Sequence, residues 1–410
     1  MEKQVKYNSI DALKKDGAPI IVVGALYEAE AIINACQDND IKITAICDSE
    51  KRTTERPICG LEVIHSPTLP NRFPKIRFII ATQHVQDVVD QMSEFGYSEF
   101  FSAMELFEKY DVNKYQHKVS NEYMKTRISV YQKSFSAYYN DTKTYMRSVD
   151  IMVTTKCSLK CESCSNLMQY YTDPQNTKND DIIAALKILH EHVDEISEFR
   201  IIGGEPMMNK EWHSIVNDIA QKNKKSKIII YTNGSIAPAE EKLENLKNKN
   251  VNFVITSYGK LSRNIDRLTE RLDKYELAYV SRPAEDWTDC SSLRQHKRSV
   301  SDLEEVFKQC CVKYVYTLLN GRLYRCPFIA NAANLNAIPD NPANYVDLFS
   351  KKVSVKKQID RLVGVAKFFP GCDFCDGRPY DPTSTRGYDG KGTIKPGIQT
   401  KKPLPYTFFK

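Results

Sequence analysis

Twelve cysteines occur among the 410 residues, and three of them fall close together in Cys157-Ser-Leu-Lys-Cys161-Glu-Ser-Cys164. The spacing is C-x3-C-x2-C. Three thiolates on one tight loop can hold three corners of a cubic 4Fe–4S cluster and leave the fourth iron open to a small ligand. A closed electron-transfer cluster would want a fourth cysteine nearby. A structural zinc site would also want a fourth ligand, usually from paired C-x2-C turns. The plainer reading is cysteine as a small buried side chain, and three on one loop speak against it.

A second set lies near the C-terminus: Cys310, Cys311 and Cys326, then Cys372-Asp-Phe-Cys375. Residues 314–319 and 322–325 flank Asn320-Gly321, the preferred tight turn of a β-hairpin. Four thiolates so arranged can hold zinc or a second iron–sulfur cluster, and spacing alone leaves both open. Either Cys310 or Cys311 can supply the first ligand. The extra residue relaxes the reach from Cys310. Cys36, Cys47 and Cys59 are expected to be small core residues.

Two series of strands and helices must position these groups. In residues 1–110 short apolar runs alternate with helical stretches, which predicts a parallel, doubly wound sheet. The first strand ends at Gly24 before a helix, the geometry that presents free N–H groups to a phosphate. Asp48 ends the second strand, where a ribose-binding carboxylate would stand. One glycine and one aspartate fall short of the G-x-G-x-x-G fingerprint of a nicotinamide site. Residues 111–147 are polar, rich in Tyr and Lys, and free of Gly and Pro, as expected of a helical connector. From residue 148 to about 300 a second alternating series predicts a full or partial α/β barrel, with the three cysteines directly after its first strand. The hairpin module spans 301–380 and a basic tail 381–410.

The segment 149–281 resembles the radical S-adenosylmethionine (SAM) superfamily. Cys157, Cys161 and Cys164 match the cluster motif. Gly203-Gly204-Glu205-Pro206, at the end of the second barrel strand, matches the GGEP turn. Thr232-Asn233-Gly234 matches the third strand end. The resemblance implies that Glu205 accepts from the methionyl ammonium of S-adenosylmethionine. It also implies that Ser257, after the fourth strand, contacts the methionyl carboxylate or ribose. Ser163 departs from the family, which places an aromatic or large apolar residue before the third cysteine. The C-terminal cysteines look like the twitch module, the shorter relative of the SPASM domain, and that implies one auxiliary 4Fe–4S cluster. Residues 1–110 also resemble the small Rossmann-like domains that precede sugar-modifying enzymes, including the Gly60-Leu61-Glu62-Val63 turn.

The implied chemistry is reductive cleavage of S-adenosylmethionine and hydrogen abstraction from a carbohydrate, cyclitol or nucleotide-linked sugar. Oxidation is the expected outcome. Peptide maturation and epimerisation are the alternatives. Arg282, at the fifth strand end, is a candidate for carboxylate or phosphate contact, or an ordinary surface arginine. Cys290 lies in the polar stretch 283–298. It reads as an exposed thiol without function, or more sharply as a hydrogen-atom donor.

Charged residues make up 27% and apolar residues 41% of the chain, a globular composition. No apolar run approaches the roughly 20 residues of a membrane helix, and the first ten residues lack a signal-peptide core. A cytoplasmic protein is expected, in which cysteines serve metals or redox chemistry rather than disulfides. Residues 351–410 carry 13 Lys or Arg against 5 Asp or Glu. That excess reads as a solvated tail, or as a basic cover over a phosphate-bearing substrate or an acidic membrane surface. The expected partners are a small-molecule substrate and an electron donor such as flavodoxin or ferredoxin, with no nucleic acid.

Overall fold

The computed structural model describes residues 4–7, 9–15, 17–140, 143–247, 250–379 and 388–409. Of the expected tail, 381–387 and 410 lie outside the described residues, as does 380. The chain divides into two compact units, Met1–Thr142 and Lys143–Lys410.

The first unit is a six-stranded sheet of β1 (Val5–Lys6), β2 (Ile20–Val23), β3 (Ala45–Asp48), β4 (Val63–His65), β5 (Arg77–Ile80) and β6 (Glu99–Phe101). All pairs are parallel, in the order β1-β6-β5-β2-β3-β4. β2 and β5 are buried along their whole length, as the unbroken apolar runs Ile20–Val23 and Phe78–Ile80 require in a sheet covered on both faces. The order reverses between β2 and β5, where Gly24 turns with φ +105° beside Ala81. The ligand crevice of such a sheet lies at this point. Here Asp48 closes the turn itself: its carboxylate accepts from the N–H of Ala25 at 2.7 Å and of Glu50 at 2.8 Å. In the first turn of the following helix, Glu28 is buried and accepts from Arg127 at 2.6 Å.

The expected connector contains a helix, Asn121–Tyr139, that packs on the helix Tyr27–Asp38 within the first unit. Its tyrosines are anchors rather than solvated polar residues. Tyr131 is fully buried, donates to Ile80 O and accepts from Ala103 N, both at 2.8 Å. Cys36 and Cys47 are buried as expected, whereas Cys59 is exposed. It occupies the left-handed position of a tight turn, φ +49°, closed by the Ile58–Leu61 bridge.

The second unit carries β7 (Tyr145–Thr154), β8 (Glu195–Gly203), β9 (Lys227–Thr232), β10 (Val251–Ser257), β11 (Ala278–Pro283), β12 (Trp287–Thr288), β13 (Val315–Leu319), β14 (Arg322–Tyr324), β15 (Tyr345–Asp347) and β16 (Thr393–Ile394). Its main sheet runs β11-β10-β9-β8-β7-β13-β14-β15. The six strands from β11 to β13 are parallel, and β13-β14-β15 are antiparallel. β11 and β15 are edges, so this is the partial barrel extended by the hairpin. Asn320 (φ +51°) and Gly321 (φ +75°) form the predicted hairpin turn.

Strand alternation sorts the side chains of β7. Val149, Ile151 and Val153 join the main apolar core. Ser148 and Asp150 point to the opposite face, in register with Glu198 and Arg200 of β8. Asp150 and Arg200 form an ion pair at 2.9 Å, and burial pushes the Asp150 carboxyl up to about 6 against the pull of Arg200.

Candidate functional site

The loop after β7 carries Cys157, Cys161 and Cys164 to the strand ends. Side-chain and backbone groups of its own sequence help to hold it. Thr154 Oγ1 accepts from Lys156 N at 3.0 Å, and Cys164 O accepts from Leu167 N at 2.9 Å. Ser163 and Leu167 take left-handed backbone, φ +55° and +60°. Ser163 sits where the family pattern has a large residue, and its hydroxyl donates to Asp289.

The GGEP turn packs directly on this loop. A Cβ on Gly203 would lie 2.4 Å from Thr154 O, and one on Gly204 would lie 2.3 Å from Lys156 O. Real Cβ atoms do not approach so closely, so only glycine permits this fit. Gly204 N donates to Thr154 O at 3.1 Å and Glu205 N to Lys156 O at 2.8 Å. Pro206 opens the short helical turn that follows, where no N–H is needed.

Glu205 is fully buried, and its carboxylate joins the ends of β8 and β9. It accepts from Thr232 Oγ1 at 2.9 Å, Asn233 N at 2.8 Å and Met207 N at 3.3 Å. Burial pushes its carboxyl up to about 7, with these hydrogen bonds opposing. Asn233 reaches Ser158 Oγ at 3.1 Å and Cys157 Sγ at 3.8 Å. Ser257 is half-buried at the end of β10. Its neighbour Tyr258 was missed by the sequence reading. Burial raises its phenol first, and Cys161, Cys164 and Cys157 add to that shift, so it stands beside the loop. Arg282 is exposed at the end of the edge strand β11.

The second cysteine group assembles around the hairpin. Cys326 follows β14 and caps the helix Pro327–Asn334, its sulfur accepting from Ile329 N at 3.5 Å. That position favours a thiolate. Cys372 and Cys375 lie on one short turn, with Cys375 N bound to Cys372 O at 3.3 Å. Arg298 holds that turn through the carbonyls of Cys372 and Cys375, at 3.1 and 2.8 Å. Burial raises all four thiols of Cys310, Cys326, Cys372 and Cys375, that of Cys372 to about 12. Cys310 feels Cys311 first, then Cys326 and Cys372, and Cys375 feels Cys290 first, then Cys310 and Cys326. Cys311, Cys290, Cys310 and Cys375 all act on Arg378.

Cys290 is buried, not exposed as its polar surroundings imply. The reason is an extended segment, 289–292, whose residues alternate between the two cysteine groups. Asp289 and Ser291 meet the first loop through Ser163. Cys290 O accepts from Cys375 Sγ at 3.5 Å, and Ser292 N donates to Asp376 at 2.8 Å. Arg378 also reaches both groups, lowering the thiols of Cys164 and Cys326 against their burial.

Among the described residues, no three His, Cys, Asp or Glu side chains converge on a single-ion position. A 4Fe–4S cubane takes its thiolates at separate corners. The donor set fits that group: sulfur ligands only, N–H groups aimed at Cys157 and Cys326, and a glycine cradle beneath the first loop.

Residues 151–279 match the sequence model of the Radical SAM superfamily. Two curated relatives are each a "GTP 3',8-cyclase" of Helicobacter pylori. That of strain J99 is 27% identical over 99 residues, 23% of this chain and 29% of the relative. That of strain 26695 is 25% identical over 126 residues, 30% and 37% respectively. The chain therefore spans about a third of the length of these relatives. Among solved structures, BtrN in complex with AdoMet and 2-DOIA has TM-score 0.35 and 15% identity, covering 56% of this chain and 92% of its own. The enzyme anSMEcpe with bound AdoMet has TM-score 0.36 and 12% identity, covering 60% and 90%. SuiB of Streptococcus suis bound to S-adenosylmethionine has TM-score 0.32 and 12% identity, covering 70% and 77%.

Proposed function

We propose that this chain, whose residues 151–279 form a radical SAM domain, is an oxidoreductase that oxidises a sugar, cyclitol or nucleotide-linked sugar with two 4Fe–4S clusters. Cys157, Cys161 and Cys164 would hold the first cluster. Cys310, Cys326, Cys372 and Cys375 would hold the second, in a module of the SPASM and twitch kind. When bound, the first cluster supplies the electron that cleaves S-adenosylmethionine and releases a 5′-deoxyadenosyl radical, and the second accepts an electron from the substrate radical.

The chain's own residues do the remainder. Gly203 and Gly204 let the backbone approach the cysteine loop. Glu205 fixes the ends of β8 and β9, and its carboxylate is the acceptor for the methionyl ammonium. Thr232, Asn233 and Ser257 line the strand ends where the other polar groups of S-adenosylmethionine would bind. Arg282 is exposed and free to meet a carboxylate or phosphate at the rim. The 289–292 segment, with Cys290 and Ser291 buried, runs between the two cysteine groups.

The observation that carries the oxidation reading is that segment, which within four residues meets Ser163 of the first loop and Asp376 beside Cys375. A polar substrate is supported by the row Thr317–Asp150–Arg200 across β13, β7 and β8. Ser148 and Thr317 on that face are fully buried, and their hydroxyls have no hydrogen-bond partner. Hydroxyls of a substrate would satisfy them. The first unit resembles domains that serve as a docking platform or hold a nucleotide-sugar. Peptide maturation is the competing reading. Anaerobic reconstitution with iron and sulfide, followed by a screen of sugar, cyclitol and peptide pools for 5′-deoxyadenosine release, tests it. Release with peptides alone would replace the sugar reading.

A further inference from the structure

We propose that residues 393–400 form a strap over the three-cysteine loop, and that Gln399 is a positioning residue whose amide N–H bonds the sulfur of Cys161. The proposal rests on the cluster assignment above. It accounts for the C-terminal segment, which charge alone left as a solvated tail.

The contact is built from both sides. Glu162 N donates to Ile398 O at 2.7 Å and Thr400 N to Lys160 O at 2.8 Å, so the strap bridges the loop on either side of Cys161. Between these bonds the Gln399 side chain turns inward. Its Oε1 accepts from Lys160 N at 2.6 Å. Its Nε2 donates to Gly397 O at 2.9 Å and to Cys161 Sγ at 3.2 Å. The oxygen faces a backbone donor and the nitrogen a backbone acceptor, so the amide has one orientation, and that orientation aims N–H at sulfur.

The strap is anchored at both ends. β16 pairs with β12, and Asp289 N donates to Gly392 O at 2.9 Å. Beyond the strap, Leu404 N donates to Gln169 O at 2.9 Å and Phe409 N to Asn336 O at 2.7 Å. Gly397 (φ +80°) lets the strap pass Tyr258, where a Cβ would lie 3.3 Å from the ring. A segment fixed in this way has lost the freedom of a tail, and its ordering must be offset by what it holds.

Hydrogen bonds to cysteine sulfur favour the more negative, reduced state of an iron–sulfur cluster. Removing the donor therefore shifts the midpoint potential of the first cluster to more negative values. Gln399→Ala removes both side-chain contacts. Gln399→Glu keeps the oxygen that Lys160 N requires and removes the donor. Both variants of the full chain, with the cluster loaded, are titrated potentiometrically by electron paramagnetic resonance. The account expects a negative shift in both. An unchanged potential in both overturns it, because a merely structural role would lower cluster content without moving the potential of the loaded fraction. The cluster-free chain gives a second readout. The Gln399 side chain covers the Cys161 sulfur, so alkylation at Cys161 should run several-fold faster in Gln399→Ala and stay near the parent rate in Gln399→Glu, which keeps the cover, with Cys157 unchanged in both. Equal rates in Gln399→Ala and the parent overturn the contact. Failure of the chain to take up any iron would sink the cluster assignment and leave this labelling readout to decide the strap.

Discussion

A Cβ added to Gly204 would lie 2.5 Å from the Cβ of Cys157. The GGEP turn and the three-cysteine loop are therefore fitted closely to each other. Gly204→Ala would force the loop away from β8. Overpacking of this kind costs about 1–3 kcal/mol. The folded variant should retain much less iron at the first cluster, with 5′-deoxyadenosine formation falling in proportion. Iron content equal to that of the parent would show that the fit is incidental.

The second cysteine group predicts about eight irons per chain, against about four if it holds zinc. Cys326→Ala with Cys372→Ala should bring the count to about four and spare reductive cleavage of S-adenosylmethionine. Tightly bound zinc beside four irons in the anaerobic parent protein would refute a second cluster.

The chemistry-bearing motifs were legible because each is local. C-x3-C-x2-C, GGEP and Asn-Gly encode a loop, a close approach and a turn within a few residues. The alternation of strand and helix likewise announced both parallel sheets. What could not be read depends on distant contacts. Gln399 meets Cys161 across more than two hundred residues of chain, and no spacing rule connects them. Cys290 lies in a polar stretch, and its burial follows from Ser292 and His296 pairing with Asp376 at 2.8 and 3.2 Å. The helix Asn121–Tyr139 read as a helical connector because its tyrosines count as polar. Tyr131 and Phe135 in fact stack at 4.4 Å inside the first unit.

Oxidation and epimerisation make opposite demands on Cys290. An electron leaving through the second group needs Cys310, Cys326, Cys372 and Cys375. Inversion needs a thiol that gives a hydrogen atom to the substrate radical. Burial pushes the Cys290 thiol up to about 12, so it stays protonated and can serve as donor. Its carbonyl is nevertheless bound to Cys375, beside the second group. Cys290→Ser should leave product formation largely intact. Loss of product with 5′-deoxyadenosine still formed would replace oxidation by epimerisation.

Glu205 confers a pH dependence of defined sign. Its carboxyl is raised from the ordinary range near 4.3 to about 7 by burial. The folded chain thus holds a proton that the unfolded chain releases. This contribution to stability is fully present at low pH and is lost as pH rises toward 7. The linkage amounts to roughly 4 kcal/mol across that window. Urea unfolding of the parent and of Glu205→Gln, without S-adenosylmethionine, checks it. The parent should lose stability relative to the variant between about pH 4 and pH 7. Parallel curves would contradict the assignment.

The central claim is that Cys157, Cys161 and Cys164 hold the cluster that cleaves S-adenosylmethionine. Its most direct measurement is 5′-deoxyadenosine release by the reduced, reconstituted chain with all three changed to Ala. The account predicts no release above background and about four irons remaining at the second group. Release at the parent rate by the triple variant would contradict it.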